Sequence, residues 1–255
     1  EKMLYDNALL VTTLSEAYQL TKKESYHKAI TETLAFVENE LMDADGGFLS
    51  ALDADSEGVE GKFYTWSSSE IISLLQKSAP LFMAYYGVTE AGNWEHTNIL
   101  HTPQPSSAVA QQFGVSEKEC LKTIQNCNSI LMFERNKRIR PQTDDKQLLG
   151  WNALMNTAFC KAYAATGNKK YLMRAQQNMA HLFEHFKNLE GEGWFHTYKN
   201  GVAKTPAFLD DYAYLIEALI QLQTVSGDLH WLEKAGAITA YVNDHFIESS
   251  TGFYF

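Results

Sequence analysis

Two doubled carboxylates, Asp144-Asp145 and Asp210-Asp211, and an alternating pair, Asp53 and Asp55, are the side chains of this 255-residue protein best suited to moving protons. Adjacent carboxylates repel one another, which pushes one pKa upward. A protonated acid next to an ionised partner is the arrangement that glycoside hydrolysis uses. On this ground Asp211 is the candidate proton donor and Asp144 the candidate partner carboxylate. Asp53, Asp55, Asp145 and Asp210 are candidate substrate contacts. Trp66, Trp94 and Trp151 add flat apolar faces on which a sugar ring can stack, though aromatics at such positions equally pack between helices.

Other motifs point to chemistry less well. Asp53-Ala54-Asp55-Ser56-Glu57-Gly58 copies the first half of a calcium-binding EF-hand loop, but its twelfth position is Tyr64 rather than a bidentate Glu. It reads instead as a polar, acidic loop followed by an extended segment from Lys62 to Trp66. His181-Leu182-Phe183-Glu184-His185 matches a zinc-protease pattern. At helical spacing, however, both histidines fall opposite the apolar face, with Arg174, Gln177 and Asn178, so a solvated surface is expected there. Asp210-Asp211-Tyr212-Ala213-Tyr214 lacks the third acid of a magnesium-binding terpenoid-enzyme motif. Arg135, Lys137, Arg138 and Arg140 form the one basic cluster, either a helix end balanced by Asp144 and Asp145 or a contact for an anionic substrate. No metal and no cofactor is expected. Epimerisation of an amino sugar would need a histidine base, for which His96 in Trp94-Glu95-His96 is the candidate.

The elements that must position these residues come from an internal repeat. Aligning Asn7-Ala8-Leu9 with Asn152-Ala153-Leu154 and Tyr212-Ala213-Tyr214 places Tyr26 opposite Tyr171 and Trp231 without adjustment. Each copy is a helix, a short polar break, a second helix, and an ending of Gly and aromatics: Gly46-Gly47-Phe48, Gly193-Trp194-Phe195 and Gly252-Phe253-Tyr254. Such a unit buries its apolar face only by stacking on its neighbours. In the second helix of the middle copy, Leu172, Ala175, Met179, Leu182, Phe183 and Phe186 follow helical periodicity. The segment between the first two copies predicts further helices over Ser67 to Leu75 and from Ser116 to about Arg135, the latter opening with a Ser116/Glu119 capping box. The expected fold is all-α, an α/α toroid of about four helical hairpins. In that register Asp6, Trp151 and Asp211 stand just before three inner helices, where Asp is also an ordinary helix cap.

Four stretches carry a resemblance to a known family. They are Glu1-Lys2-Met3-Leu4-Tyr5-Asp6-Asn7; Gly46-Gly47-Phe48 through Asp53-Ala54-Asp55-Ser56-Glu57-Gly58 to Gly61-Lys62-Phe63-Tyr64-Thr65-Trp66; Tyr86-Gly87-Val88 with Gly92-Asn93-Trp94-Glu95 and Asn98-Ile99-Leu100; and Arg140-Pro141 with Asp144-Asp145-Lys146 and Trp151-Asn152. In order and spacing they resemble the thioredoxin-domain-containing proteins of the YyaL and spermatogenesis-associated protein 20 type. The resemblance implies an amino-terminal thioredoxin-like domain followed by a toroid related to six-hairpin glycosidases and N-acylglucosamine 2-epimerases. It further implies that residues 1–255 form one toroid domain, with the thioredoxin-like domain absent from this chain and a partner of it in the full-length protein. Gln142 stands where the family has His, which weakens a histidine mechanism at that loop, and Ala153 where Gly is usual.

Composition narrows the partners. With 21 Lys and Arg against 31 Asp and Glu the formal charge is −10, which disfavours nucleic acid and anionic membrane surfaces. No apolar run reaches the length of a membrane span. Cys120 and Cys127 lie seven apart on one predicted helix, about 10 Å between Cα atoms, too far for a disulfide. With Cys160 they read as reduced structural thiols, which suggests a cytoplasmic setting. The functions left open are a carbohydrate-acting or carbohydrate-binding toroid, a non-catalytic scaffold serving the thioredoxin-like domain, and amino-sugar epimerisation.

Overall fold

A computed structural model of the protein describes residues 1–189 and 191–255. In chain order the elements are β1 (Lys2–Met3), α1 (Leu4–Thr21), α2 (Glu24–Glu40), β2 (Ala51–Leu52), β3 (Asp55–Ser56), β4 (Val59–Glu60), α3 (Ser68–Leu75), α4 (Ala79–Tyr86), α5 (Ser106–Phe113), α6 (Glu117–Arg135), β5 (Thr143–Asp144), β6 (Gln147–Leu148), α7 (Leu149–Thr166), α8 (Lys169–His185), β7 (Phe195–Lys199), β8 (Val202–Pro206), α9 (Leu209–Ser226) and α10 (Leu229–Phe246). The fold is of the all-α, α/α-toroid class, with short strands in the connections between helices. The contacts divide it into two compact units, residues 1–52 with 143–255, and residues 53–142.

The first unit holds the three copies of the repeat as the hairpins α1–α2, α7–α8 and α9–α10. The register holds at both ends of the first helices, which begin at Leu4, Leu149 and Leu209 and stop at Thr21, Thr166 and Ser226. Each stops because the next residue turns left-handed: Lys22 at φ 53°, Gly167 at φ 73°, Gly227 at φ 74°. Glycine adopts that conformation freely, whereas Lys22 does so at a cost of about 1 kcal/mol. Asn168 and Asp228 then cap α8 and α10 by accepting the N–H groups of Lys170 and His230. Each second helix returns through a bridge to its aromatic ending: Met42 to Phe48, Lys187 to Trp194, Ile247 to Tyr254.

Helix α7 packs between α1 and α9. Twelve of its 18 residues are buried, against four in α1. Gly150, Ala153, Ala158 and Ala162 are among them, and small side chains at a crossing bring helix axes close. The three first helices run side by side with their amino-terminal ends together. The Gly150 N–H donates to Asp211, and the rings of Tyr5 and Trp151 lie 4.8 Å apart. Two antiparallel ladders, β1–β2–β5 and β6–β7–β8, lead into α1 and α7, and β8 leads into α9.

One side of α8 departs from the expectation of a solvated face. His181 is 3% exposed and Asn178 is fully buried. The helical-wheel argument assumes a single packing partner, but the return loop of the first copy covers α8 on its other side. Asn178 Nδ2 donates to Gly46 O (3.0 Å) and to Asn152 Oδ1 (3.1 Å). His181 Nε2 lies 2.6 Å from Gln147 Oε1, which in turn has Asp43 as a partner of its amide nitrogen. Asn152 accepts the Phe48 N–H and donates to Phe48 O and Leu148 O, so the loop's buried backbone groups are paired by amide side chains.

The second unit carries α3 to α6 around Ile71, Phe82, Val109, Cys120, Ile124 and Leu131. Ser67 with Glu70, and Ser116 with Glu119, form reciprocal capping boxes that start α3 and α6. The EF-hand-like run is neither a calcium loop nor an open acidic loop. It is the hairpin β3–β4, turning at Glu57 (φ 54°) and Gly58 (φ 73°), the two positive φ values of a type I′ turn. The segment Lys62 to Trp66 is not extended either. It winds through a turn in which the Tyr64 and Thr65 N–H groups both donate to Gly61 O. The basic cluster is absorbed here. Arg138 donates to the carbonyls of Lys62, Phe63 and Thr65 and to Glu70, and Lys137 pairs with Glu134. Arg135 lies over the Phe63 and Tyr64 rings. Its expected counter-charges, Asp144 and Asp145, pair elsewhere, with Lys146 and Lys199. All three cysteines are buried free thiols.

Candidate active site

The best-formed polar site stands where α7, β7 and α9 meet, and Asp211 is its centre. Asp211 is the third residue of α9, one turn inside the position that a cap would take, as Asp6 is in α1 and Trp151 in α7. From there its carboxylate turns back on the helix start and accepts the Phe208 N–H (2.9 Å) through Oδ2, the side-chain half of a capping box. Oδ1 accepts the N–H of Gly150 in the first turn of α7 (2.9 Å). Gly150 is required by this approach, because a Cβ there would sit 2.9 Å from Oδ1. The third partner is His196 of β7, whose Nδ1 lies 2.7 Å from Oδ2.

The carboxylate is 2% exposed and the imidazole 24%. Burial raises the Asp211 pKa from its ordinary value, while the three donors pull it back. Asp210 takes no part in that rise. The rise therefore comes from burial and not from the neighbouring carboxylate that the doubled-acid argument invoked. With Asp211 ionised and accepting, Nδ1 of His196 carries the proton, so Nε2 is the basic nitrogen of the neutral ring. The ring packs against Phe208, 4.8 Å between centroids. A carboxylate that fixes the tautomer of a partly exposed histidine is the orienting half of a general acid–base pair.

The other expected residues scatter around this dyad or lie apart from it. Asp144 sits in β5, half-buried, bonded to Lys146 at 3.2 Å. Asp145 pairs with Lys199 of β7, and that ammonium holds its carboxyl below its ordinary value rather than above it. Asp210 is exposed on the first turn of α9, and Trp151 is half-buried against Tyr5. Asp53, Asp55, Trp66 and Trp94 belong to the second unit. There the two aspartates are exposed, Trp66 is buried beneath Arg138 (4.0 Å to the ring), and Trp94 covers Gly61. Sequence reasoning missed His196 altogether and looked to His96, which is exposed in a tight turn of the second unit. The available signal was the ending Gly193-Trp194-Phe195 followed by His196, which returns the chain to the starts of the first helices. Among the described residues no cluster of three or more His, Cys, Asp or Glu is placed to hold a metal ion, and no helix is long and apolar enough to cross a membrane.

No family model matches the chain. Its whole length aligns with human spermatogenesis-associated protein 20 at 30% identity, and 92% of it with the uncharacterized protein B0495.5 of Caenorhabditis elegans at 33%. The chain is a homologue of spermatogenesis-associated protein 20. It spans about 37% of the length of the curated relatives it matches. Among solved structures, the cellobiose 2-epimerase of Spirochaeta thermophila DSM 6192 superposes with a TM-score of 0.58 at 14% identity, covering 99% of this chain and 46% of that one. That likeness is one of fold, the α/α toroid.

Proposed function

We propose that this homologue of spermatogenesis-associated protein 20 contributes a carbohydrate-handling toroid in which His196, oriented by Asp211, moves a proton on a bound sugar. The carrying observation is the 2.7 Å contact between Asp211 Oδ2 and His196 Nδ1, which leaves Nε2 as the base. Proton removal from the carbon next to a sugar carbonyl, and its return, is the reaction class such a group serves. The fold neighbour being a cellobiose 2-epimerase agrees with it. Trp151, Asp144 and Asp145 at the same helix ends are the proposed sugar contacts, and a thioredoxin-like domain the proposed neighbour in the full-length protein.

A hydrolytic reading with Asp211 as proton donor and Asp144 as its partner draws on the burial that raises the Asp211 pKa. Against it, both Asp211 oxygens already accept N–H groups. The test separates the two. Full-length protein is incubated in D2O with a panel of aldoses, cellobiose and amino sugars, and followed by proton NMR for exchange at the carbon beside the carbonyl. His196→Asn retains a donor for Asp211 but removes the Nε2 base, so exchange should disappear while the denaturation midpoint holds. Asp144→Asn should preserve it. Exchange that survives in His196→Asn rejects the proton-transfer role. Glycoside cleavage lost only in Asp144→Asn and Asp211→Asn selects hydrolysis, and a panel with neither binding nor turnover selects the scaffold.

A further inference from the structure

A groove of about 370 Å³ opens between α8, α10 and residues 191–194, and neither Asp211 nor His196 lines it. Its apolar walls are Phe183, Trp194 and Tyr241, with the Phe183 and Trp194 rings edge to face at 4.8 Å. The cleft is held by backbone chemistry on its inner side. The Trp194 N–H donates to Tyr212 Oη at 3.0 Å, and Gly193 (φ 88°) sits so close that a Cβ would meet Tyr241 Oη at 2.6 Å.

Two ammonium groups line the same groove. Lys187 follows the carboxyl-terminal end of α8, and Lys234 of α10 lies with Nζ 4.0 Å from the Phe183 ring centroid. Among the described residues neither makes an ion pair, although the chain carries ten more acids than bases. Burial, and after it the Lys187 charge, lower the Lys234 pKa. The one carboxylate among the groove's described lining residues, Glu192, is largely exposed and reaches His245 at 3.7 Å. Two lysines lining one groove, without a counter-ion among the described residues and beside an aromatic wall, are complementary to an anion carried on a ring.

We infer that this groove binds a small ring compound bearing a phosphate or carboxylate, its anionic group between Lys187 and Lys234 and its ring against Trp194 and Tyr241. The volume suits a molecule of monosaccharide size. This site is independent of proton transfer at His196.

The experiment is calorimetric titration of full-length protein with glucose 6-phosphate, phenyl phosphate, glucuronate, glucose and inorganic phosphate. The expected result is binding of at least one anionic ring compound, weakened about tenfold or more in Lys187→Gln/Lys234→Gln and by added salt. That double variant should keep its thermal midpoint, since Lys187 is exposed and Gln at 234 keeps most of the aliphatic stem of the half-buried lysine. Comparison of glucose 6-phosphate with phenyl phosphate shows whether a saccharide or an aryl ring is preferred. No binding of any anion at millimolar concentration, affinity unchanged in the double variant, or glucose or inorganic phosphate binding as tightly as the anionic rings would each overturn the assignment.

Discussion

Replacing Asp211 with Asn tests the corner of α7, β7 and α9 most directly, because the substitution keeps shape and removes only acceptor capacity. The Asn carbonyl can take over Oδ1 and retain the Gly150 N–H. Its amide nitrogen then stands where Oδ2 accepted both the Phe208 N–H and His196 Nδ1. Two donors now face a donor. His196 can accommodate by moving its proton to Nε2, so that Nδ1 accepts from the new amide, but the Phe208 N–H has no such escape. One lost bond to a charged acceptor at a largely buried site costs about 2 kcal/mol. For a chain of this size that lowers the thermal midpoint by about 4–8 °C. Urea denaturation of wild type and variant measures the loss, and nitrogen-15 NMR of the histidine rings reads the tautomer. The pH dependence supplies a sign. With the folded-state pKa of Asp211 raised above 3.8, the native protein holds a proton that the unfolded chain releases, so this contribution to stability falls as pH rises through that window. The Asn variant lacks that slope. A stability change below about 0.5 kcal/mol, within the range of ordinary surface substitutions, or an unchanged His196 tautomer, refutes the three-way junction.

Burial depresses the pKa of His181, so its unfolded state takes up a proton first on acidification. Stability from this residue is complete above about pH 6.5 and lost as pH falls towards the depressed value, and urea midpoints from pH 7.5 to 5 should decline less in His181→Asn than in wild type. Burial raises the Cys160 thiol to about 12, and Cys120 and Cys127 are also shifted upward. All three should resist a thiol-specific reagent in the native protein and react on unfolding, whereas rapid native labelling of Cys160 contradicts its packing. Gly193→Ala should cost about 1–3 kcal/mol, since its φ of 88° and the Tyr241 hydroxyl both oppose a side chain. Adding Tyr241→Phe should recover only part of the loss, because the positive φ and the Tyr212 hydroxyl, 2.9 Å from the new Cβ, still oppose it, and full recovery rules out the backbone contribution.

Hairpin boundaries were legible because the repeat fixes them twice over, by apolar periodicity and by what stops each helix. Gly167 and Gly227 mark two of the left-handed stops in the sequence itself, and Lys22 occupies the third by register alone. The capping boxes at Ser67 and Ser116 were equally readable, being local pairs three residues apart. Illegible were features that depend on a second partner. The buried side of α8 looks polar because Asn178 and His181 are satisfied by Gly46, Asn152 and Gln147, which lie 26 or more residues away in sequence. Periodicity scores such amides as surface, yet they pair a loop backbone that would otherwise be buried without hydrogen bonds. The acidic run from Asp53 to Gly58 likewise looked like a ligand loop, since an acid followed by Gly, here Glu57-Gly58, can turn a type I′ hairpin as well as begin to surround a cation.

The site shows the same limit more sharply, because three equivalent positions acquire three different environments. Asp6, Trp151 and Asp211 each stand third in a first helix. Asp6 remains exposed, and Trp151 meets Tyr5 across the α1–α7 contact. Asp211 alone has a neighbouring helix start on one side and a strand on the other. Register therefore locates a side chain without saying what it meets. Gly150 is what admits the Asp211 carboxylate to α7, and β7, entered through Gly193, is what brings His196 to its other oxygen. Neither partner carries an acidic or repeated signature. A search for paired carboxylates passes over a dyad whose second member is a histidine fifteen residues upstream, on the strand that returns to the helix ends. The same reasoning gives the dyad its weight. A buried acid can cap a helix using backbone donors alone, so the third bond, to a quarter-exposed imidazole, is the feature that capping does not require.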